Sequence, residues 1–155
     1  MRLYHGSNVV IQQIDLAKCK PYKDFGQGFY LTGIKEQAFE MAKRTAKIYG
    51  GSPVVNEFEF DESALGELAV KRFDEPSEEC ALFVMANRSK NNVHPTHSFD
   101  IVIGPVADDT IATLFRNFDD GIIDLPMLVN GLRYKKISSQ YFFHSSVTIK
   151  YLKKL

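Results

Sequence analysis

Asp24-Phe25-Gly26-Gln27-Gly28-Phe29-Tyr30-Leu31-Thr32 is the stretch that decides the fold, because it sets a glycine pair before an apolar strand. A dinucleotide-binding fingerprint does the reverse: its glycines follow a strand, open a helix and include a third glycine. The doubly wound nucleotide folds are therefore excluded at this position. Downstream, from Lys35 to Tyr49, Ala38, Met41, Ala42, Thr45, Ala46 and Tyr49 recur at three- and four-residue steps between charged residues. That spacing predicts an amphipathic helix closed by Gly50-Gly51. Upstream, Leu3-Tyr4-His5 reads as a short strand cut off by Gly6-Ser7-Asn8.

Farther out the elements are mixed irregularly. Val54 to Phe60 and Leu68 to Phe73 show strand-like alternation. Pro76 suits a first helical turn, with Ser77-Glu78-Glu79 complementing the helix dipole and the helix running through Ala81 to Asn87. Phe99 to Gly104 reads as an interior strand, Asp108-Asp109 opens a helix through Phe115 and Phe118, and Pro126 to Leu132 forms another. Gln140 to His144 predicts a strand, with Ser145 as the N-cap of a closing helix from Val147 to Leu155 whose end carries Lys150, Lys153 and Lys154. Strands and helices do not alternate regularly, so the expectation is an α+β domain with mostly antiparallel pairing.

The length of 155 residues sets one domain over residues 1–155, with 45% hydrophobic and 25% charged residues placing it in the globular range. Nineteen basic side chains balance nineteen acidic ones, so no bulk field gathers nucleic acid or anionic lipid. No apolar run approaches the ~20 residues that span a bilayer, and Met1-Arg2-Leu3-Tyr4-His5 has no secretory h-region. The expected compartment is the cytoplasm, with no membrane partner. Cys19 and Cys80 lack metal spacing and are expected as free thiols. His94 and His97 flank Pro95 in a loop and read as surface residues, and no metal site is expected. No Gly-x-Ser-x-Gly elbow supports a serine triad.

Three short motifs remain: Leu3-Tyr4-His5-Gly6-Ser7, the Gly26-Gln27-Gly28-Phe29-Tyr30 strand with its following helix, and Gln140-Tyr141-Phe142-Phe143. In this order they resemble the ADP-ribosyltransferase superfamily, in the His-Tyr-Glu branch of the poly(ADP-ribose) polymerases and diphtheria-type toxins. Phe25-Gly26-Gln27-Gly28-Phe29-Tyr30-Leu31-Thr32, Phe73-Asp74-Glu75-Pro76-Ser77-Glu78-Glu79 and Phe99 to Asp108 resemble more closely a bacterial family of that superfamily. The resemblance spans nearly the whole chain. It implies two mostly antiparallel sheets forming an NAD cleft with flanking helices.

The resemblance also implies roles. NAD would be the substrate, with no metal, and its nicotinamide–ribose bond would break through an oxocarbenium-like transition state. His5 would hydrogen-bond a ribose hydroxyl of the adenosine half, Gly6 would bring backbone to the nicotinamide amide, and Tyr30 would stack on the nicotinamide ring. Ser7, Gly28 and Thr32 would add contacts, and Phe39, with Met41, would form the second wall. Gln140 occupies the third catalytic position, where the family commonly has Glu; an amide hydrogen-bonds a ribose hydroxyl but carries no charge. The implied activity is mono-ADP-ribosyl transfer to an unidentified macromolecular acceptor, as in toxins or effectors held by a neutralising partner protein.

Two other classes stay open: a module that binds NAD or ADP-ribose without transferring it, and an interaction domain that keeps only the scaffold. The plainer residue readings stand beside the functional ones. In these readings His5 is a core histidine tied to a backbone carbonyl, Tyr30 a core aromatic, Gln140 a solvent-exposed strand residue, and Asp24 and Asp108 turn or cap residues.

Overall fold

The computed structural model describes residues 1–92, 95–106, 109–133 and 138–155. Its strands are β1 (Arg2–Ser7), β2 (Phe29–Thr32), β3 (Val54–Phe60), β4 (Val70–Arg72), β5 (Ile101–Pro105), β6 (Ser139–Phe143) and β7 (Leu152–Lys154). The helices are α1 (Lys35–Tyr49), α2 (Ala64–Glu67), α3 (Glu78–Arg88), α4 (Asp109–Asp119) and α5 (Leu125–Arg133), with 3-10 turns at Leu16–Lys18 and Ser146–Tyr151. The α+β class is as the sequence predicts. The strands hydrogen-bond into one seven-stranded sheet of order β4-β5-β6-β2-β1-β3-β7, not into the two separate sheets expected. Pairing is antiparallel except between β4 and β5, whose connection carries α3.

The sheet is nevertheless nearly two. β1 runs along β3 from Arg2↔Glu59 to Ser7↔Val54, and β2 runs along β6 from Phe29↔Phe143 to Thr32↔Gln140. Between these halves, β1 and β2 share only the pair Tyr4↔Thr32. Alternation along the strands sorts the side chains onto two faces. On one lie Leu3, Phe29, Leu31, Phe58, Phe60, Ile101, Ile103 and Phe143, covered by Ile11, Ile14 and Leu16 of the loop after β1, by Ala64 of α2, and by Tyr151 and Leu152. On the other, Val102 and Phe142 pack with Phe25 and Phe73 against Cys80, Ala81 and Val84 of α3, Ile111 and Phe115 of α4, and Leu128 and Leu132 of α5.

Helix α1 lies on this second face, over the β1/β3 half. Its fully buried residues are Ala38 and Ala42 alone, while Met41 and Tyr49, part of the apolar periodicity, stand exposed. The contact is close because Gly6 has no side chain: a Cβ there would lie 1.9 Å from the Ala38 carbonyl oxygen and 2.7 Å from the Ala42 amide nitrogen. Small residues on both sides let helix and strand backbones meet. Asn56, fully buried on β3, ties down the loop after β1 by accepting from the Ile11 amide (2.7 Å) and donating to the Val9 carbonyl (3.1 Å). Removing that amide would strand both backbone groups at about 1–3 kcal/mol each.

Other boundaries depart from expectation for local reasons. Ser77, not Pro76, begins α3, since its hydroxyl accepts from the Cys80 amide at 3.1 Å. β5 starts at Ile101 because Asp100 serves as a junction: its Oδ2 accepts from the Ala69 amide (3.0 Å) and its Oδ1 from the Ser145 hydroxyl (2.5 Å). The closing helix from Val147 to Leu155 does not form. A 3-10 turn buries Thr148 and Tyr151 at a three-residue step, and the chain then pairs with β3 at Phe60↔Leu152 and Phe58↔Lys154. Lys153 and Lys154 are therefore strand residues, not helix-terminal cations. Asp108 and His94 lie outside the described residues.

The Gly6 contact generates a stability prediction. Gly6→Ala forces a methyl group into helix backbone, and overpacking of this kind costs about 1–3 kcal/mol. Gly33, where nothing lies within 4 Å, is the control: Gly33→Ala should stay within about 0.5 kcal/mol of wild type in urea denaturation.

Candidate functional site where the sheet parts

The pair Tyr4↔Thr32 fixes the register that β1 and β2 would follow, with Gly6 facing Tyr30 next. That step is not taken. Instead the His5 ring, stacked on Phe29 with centroids 4.5 Å apart, donates from Nδ1 to the Tyr30 carbonyl at 2.8 Å. A side chain thus takes the acceptor that the ladder would have used, and the two halves of the sheet part there. Burial holds the His5 pKa below its ordinary value, so the ring stays neutral; the bond to the Tyr30 carbonyl opposes this only in part. With Nδ1 protonated, Nε2 is left as a lone-pair acceptor, and it has no partner among the described residues.

Tyr30 projects to the opposite face. Its hydroxyl donates to the Gly26 carbonyl (2.8 Å) and accepts from the Phe25 amide (3.0 Å), and its ring packs 4.7 Å from Phe142. Burial raises the phenol pKa well above its usual value, so it is a neutral donor throughout the accessible pH range. These bonds explain the glycine pair. Gly26 has φ +101°, and a Cβ on Gly28 would lie 2.4 Å from the Phe142 ring and 2.5 Å from the Phe143 carbonyl oxygen. The loop lies flat over β6 and presents its backbone to the phenol.

Gln140 shares this face, opposite Thr32 and Gly104. Its Nε2 donates to Asp24 Oδ2 (3.1 Å) and to the Pro105 carbonyl (2.9 Å). Both partners are acceptors, so the amide orientation is fixed, and Oε1 is left without a partner among the described residues. Asp24 is held in turn by Arg88, whose Nε and Nη2 both approach Oδ1, at 2.8 and 2.6 Å. The Asp24 side chain is only 14% exposed, which makes it a fixed carboxylate and not a turn or cap residue. On the α1 side, the Thr32 hydroxyl donates to Gln37 Oε1 (2.8 Å) and accepts from the Ile34 amide (3.1 Å), and Gln37 donates to the Ser138 hydroxyl. A polar line of half-buried side chains, Arg88-Asp24-Gln140 and Thr32-Gln37-Ser138, thus runs between α1 and the α3–α5 layer.

The structure therefore joins His5 to Tyr30 through a backbone carbonyl, and Gln140 to Thr32 by register, but sets the His5 ring on the Phe29 face and the Tyr30 ring and Gln140 on the other. Ser7 is buried at the end of β1, its hydroxyl accepting from the Val9 amide at 3.4 Å. Gly6 and Gly28 owe their lack of side chain to α1 and to β6. Phe39 is not brought to this line: it lies two residues, about 200° of helix, from Gln37, exposed beneath the Lys43 ammonium. The sequence reading missed Gln37, Ser138 and Arg88. Only the partner of a buried carboxylate could have pointed to Arg88, and that pairing spans 64 residues.

Two hollows flank the polar line. One, with a cavity volume of only about 20 Å³, is walled by Asp24, Pro76, Cys80, Val84, Ile111 and Phe115; burial pushes the Cys80 thiol pKa up to about 12, so it is not a nucleophile. The other, with a cavity volume of about 70 Å³, is lined by Gly26, Gln27, Asn87, Pro95, His97 and His144. His97 is spent in it, donating from Nε2 to the Phe25 carbonyl (2.7 Å) and accepting at Nδ1 from the Phe99 amide (3.1 Å). Cys19 and Cys80 are free thiols. Among the described residues no group of three His, Cys, Asp or Glu could hold a metal, and no helix is long and apolar enough to cross a membrane.

Residues 1–154 match the family described as "Protein of unknown function (DUF3990)", and the chain belongs to that family. No curated protein and no solved structure matches it.

Burial lowers the pKa of both His5 and His97. The unfolded chain therefore binds protons that the folded one refuses, and the stability these rings contribute is present above about pH 6.5 and is lost as pH falls toward their folded pKa values. Urea denaturation from pH 7.5 to 5 should show falling stability, with a shallower slope in His5→Gln and in His97→Gln. Long-range 15N spectra should show His5 as the Nδ1–H tautomer.

Proposed function

We infer that this DUF3990-family chain is an NAD-dependent mono-ADP-ribosyltransferase acting on a macromolecular acceptor. The observation that carries the reading is the neutral His5 at the parting of the sheet, with Nδ1 committed to the Tyr30 carbonyl and Nε2 left to accept from a ligand hydroxyl. A ribose supplies such a donor. The resemblance to the His-Tyr-Glu transferases supports the same assignment, as do the near-division of the sheet into two halves and Gln140 Oε1, which has no partner among the described residues and can accept from a second ribose hydroxyl.

In this reading the bond between ribose C1′ and the nicotinamide nitrogen breaks, and its electron pair leaves with nicotinamide. A lone pair of the acceptor then forms the new bond to C1′, and the acceptor's proton passes to solvent. No metal is required. The chain's part is to hold the two riboses and to favour the developing cation, the kind of electrostatic contribution that is worth about 10²- to 10³-fold per group in other enzymes. Restraint by a neutralising partner, as in toxin systems, belongs to the same proposal.

A second reading rests on one feature. The Gln140 amide is uncharged, and its donor capacity is spent on Asp24 and Pro105. A module that binds NAD or ADP-ribose without transfer fits that feature.

The two separate in one series. NAD at a hundredfold excess over its Kd should stabilise the protein by about 2.7 kcal/mol, which for a domain of this length raises Tm by roughly 5–10 °C. His5→Ala should remove most of that rise. Nicotinamide release from wild type selects the transferase; a thermal rise without release selects the binding module; neither one removes both readings.

A further inference from the structure

The geometry points to Asp24 as the residue that supplies, through Gln140, the negative charge the third catalytic position lacks. The inference rests on the transferase reading above and deepens it. Three observations carry it. The carboxylate is fixed, nearly buried and within hydrogen-bond distance of the Gln140 amide (Oδ2 to Nε2, 3.1 Å). Arg88 engages only Oδ1, so Oδ2 is turned toward Gln140. The second Gln140 donor is held by the Pro105 carbonyl at 2.9 Å, so the amide has one orientation and its Oε1 faces away from both acceptors.

A Glu at position 140 would bring its charge directly to a ribose hydroxyl. Here charge and hydrogen-bond acceptor are divided between two residues. Asp24 polarises the amide, since an N–H donating to a carboxylate leaves more electron density on the amide oxygen, and hydrogen bonds in a chain reinforce one another. Gln140 Oε1 then accepts the hydroxyl more strongly, and the carboxylate lies one residue away from the developing cation. Asp24 is a positioning residue in this scheme: it acts through Gln140. Asp24 lies two residues before Gly26, on the loop that also grips the Tyr30 hydroxyl, so one loop sets both groups.

A Glu introduced at 140 would stand beside the Asp24 carboxylate, and like charges held together raise the pKa of one of the pair, an effect the Arg88 guanidinium offsets in part.

A charge-exchange series tests this, with nicotinamide release from NAD as the readout, kcat and KM measured separately, and folding checked by thermal denaturation. Asp24→Asn, which keeps the shape, should lower kcat about 10- to 100-fold with KM changed less than about threefold. Gln140→Glu alone should give a rate that rises with pH as the shared proton is lost. The exchanged pair Asp24→Asn/Gln140→Glu should recover kcat to within about tenfold of wild type and lose that pH dependence. If Asp24→Asn does not fold, the exchanged pair decides alone: a folded pair within about tenfold of wild-type kcat supports the role of Asp24, and one slower than that overturns it.

Unchanged kcat in Asp24→Asn, or a folded exchanged pair as slow as Asp24→Asn, would overturn the role of Asp24 while the transferase reading stood on wild-type turnover. Wild-type protein that releases no nicotinamide would overturn the transferase reading, and this inference with it.

Discussion

A single hydrogen bond made in an unusual place organises this molecule. Where β1 and β2 should continue their ladder, the His5 imidazole takes the Tyr30 carbonyl, and the backbones separate after one pair. Every buried carbonyl needs a donor, and a strand that leaves its neighbour must find a substitute. His5 supplies it without closing the gap. The cost is a ring that must stay neutral, which burial against Phe29 enforces. The return is a break inside one continuous sheet, with an imidazole nitrogen beside it that has no partner among the described residues.

The second face of the sheet depends on that break. α1 covers the β1/β3 half through Gly6, and α3, α4 and α5 cover the β5/β6 half through Val102 and Phe142. Between them, β2 and the start of β6 are left with polar side chains: Thr32 and Gln140 on the floor, Gln37 and Ser138 on one side, Asp24 and Arg88 on the other. An apolar strip between two helical layers would invite the helices to close over it. Here polar groups satisfy one another instead, and covering them with apolar side chains would cost the solvation of any acceptor left unpaired.

Much of this was legible in the sequence wherever periodicity or glycine spoke. β2, α1 and β3 fall at the expected residues because alternation, three- and four-residue steps and Gly50-Gly51 are local signals. The end of the chain was misread because Val147 to Leu155 carries a helix-compatible pattern, and β7 forms only when β3 offers Phe58 and Phe60 as partners. Candidate-site residues followed the same divide. His5, Tyr30 and Gln140 stood out by their place in motifs, while Arg88 and Gln37 did not, since their importance lies in contacts made across 64 and 101 residues. Phe39 shows the opposite error: an aromatic on the right helix, turned the wrong way round it.

The division of His5 from Tyr30 and Gln140 across the sheet constrains what any shared ligand must look like. A compact molecule seated against Gln140 lies on the α-helical face and cannot reach an imidazole packed on Phe29. β1 and β2 share the single pair Tyr4↔Thr32, and they part beside Tyr30, two residues along β2 from the Thr32–Gln140 pair. Under the proposed transferase reading, a ligand that touches both groups must span that parting. It must therefore be long, with hydrogen-bonding hydroxyls near each end and a flexible, narrow middle. Two riboses joined by a pyrophosphate have that form, whereas a mononucleotide or a single sugar does not. Under the proposed transferase reading, the separation of His5 from Gln140 across the sheet is thus a demand on the length of the ligand.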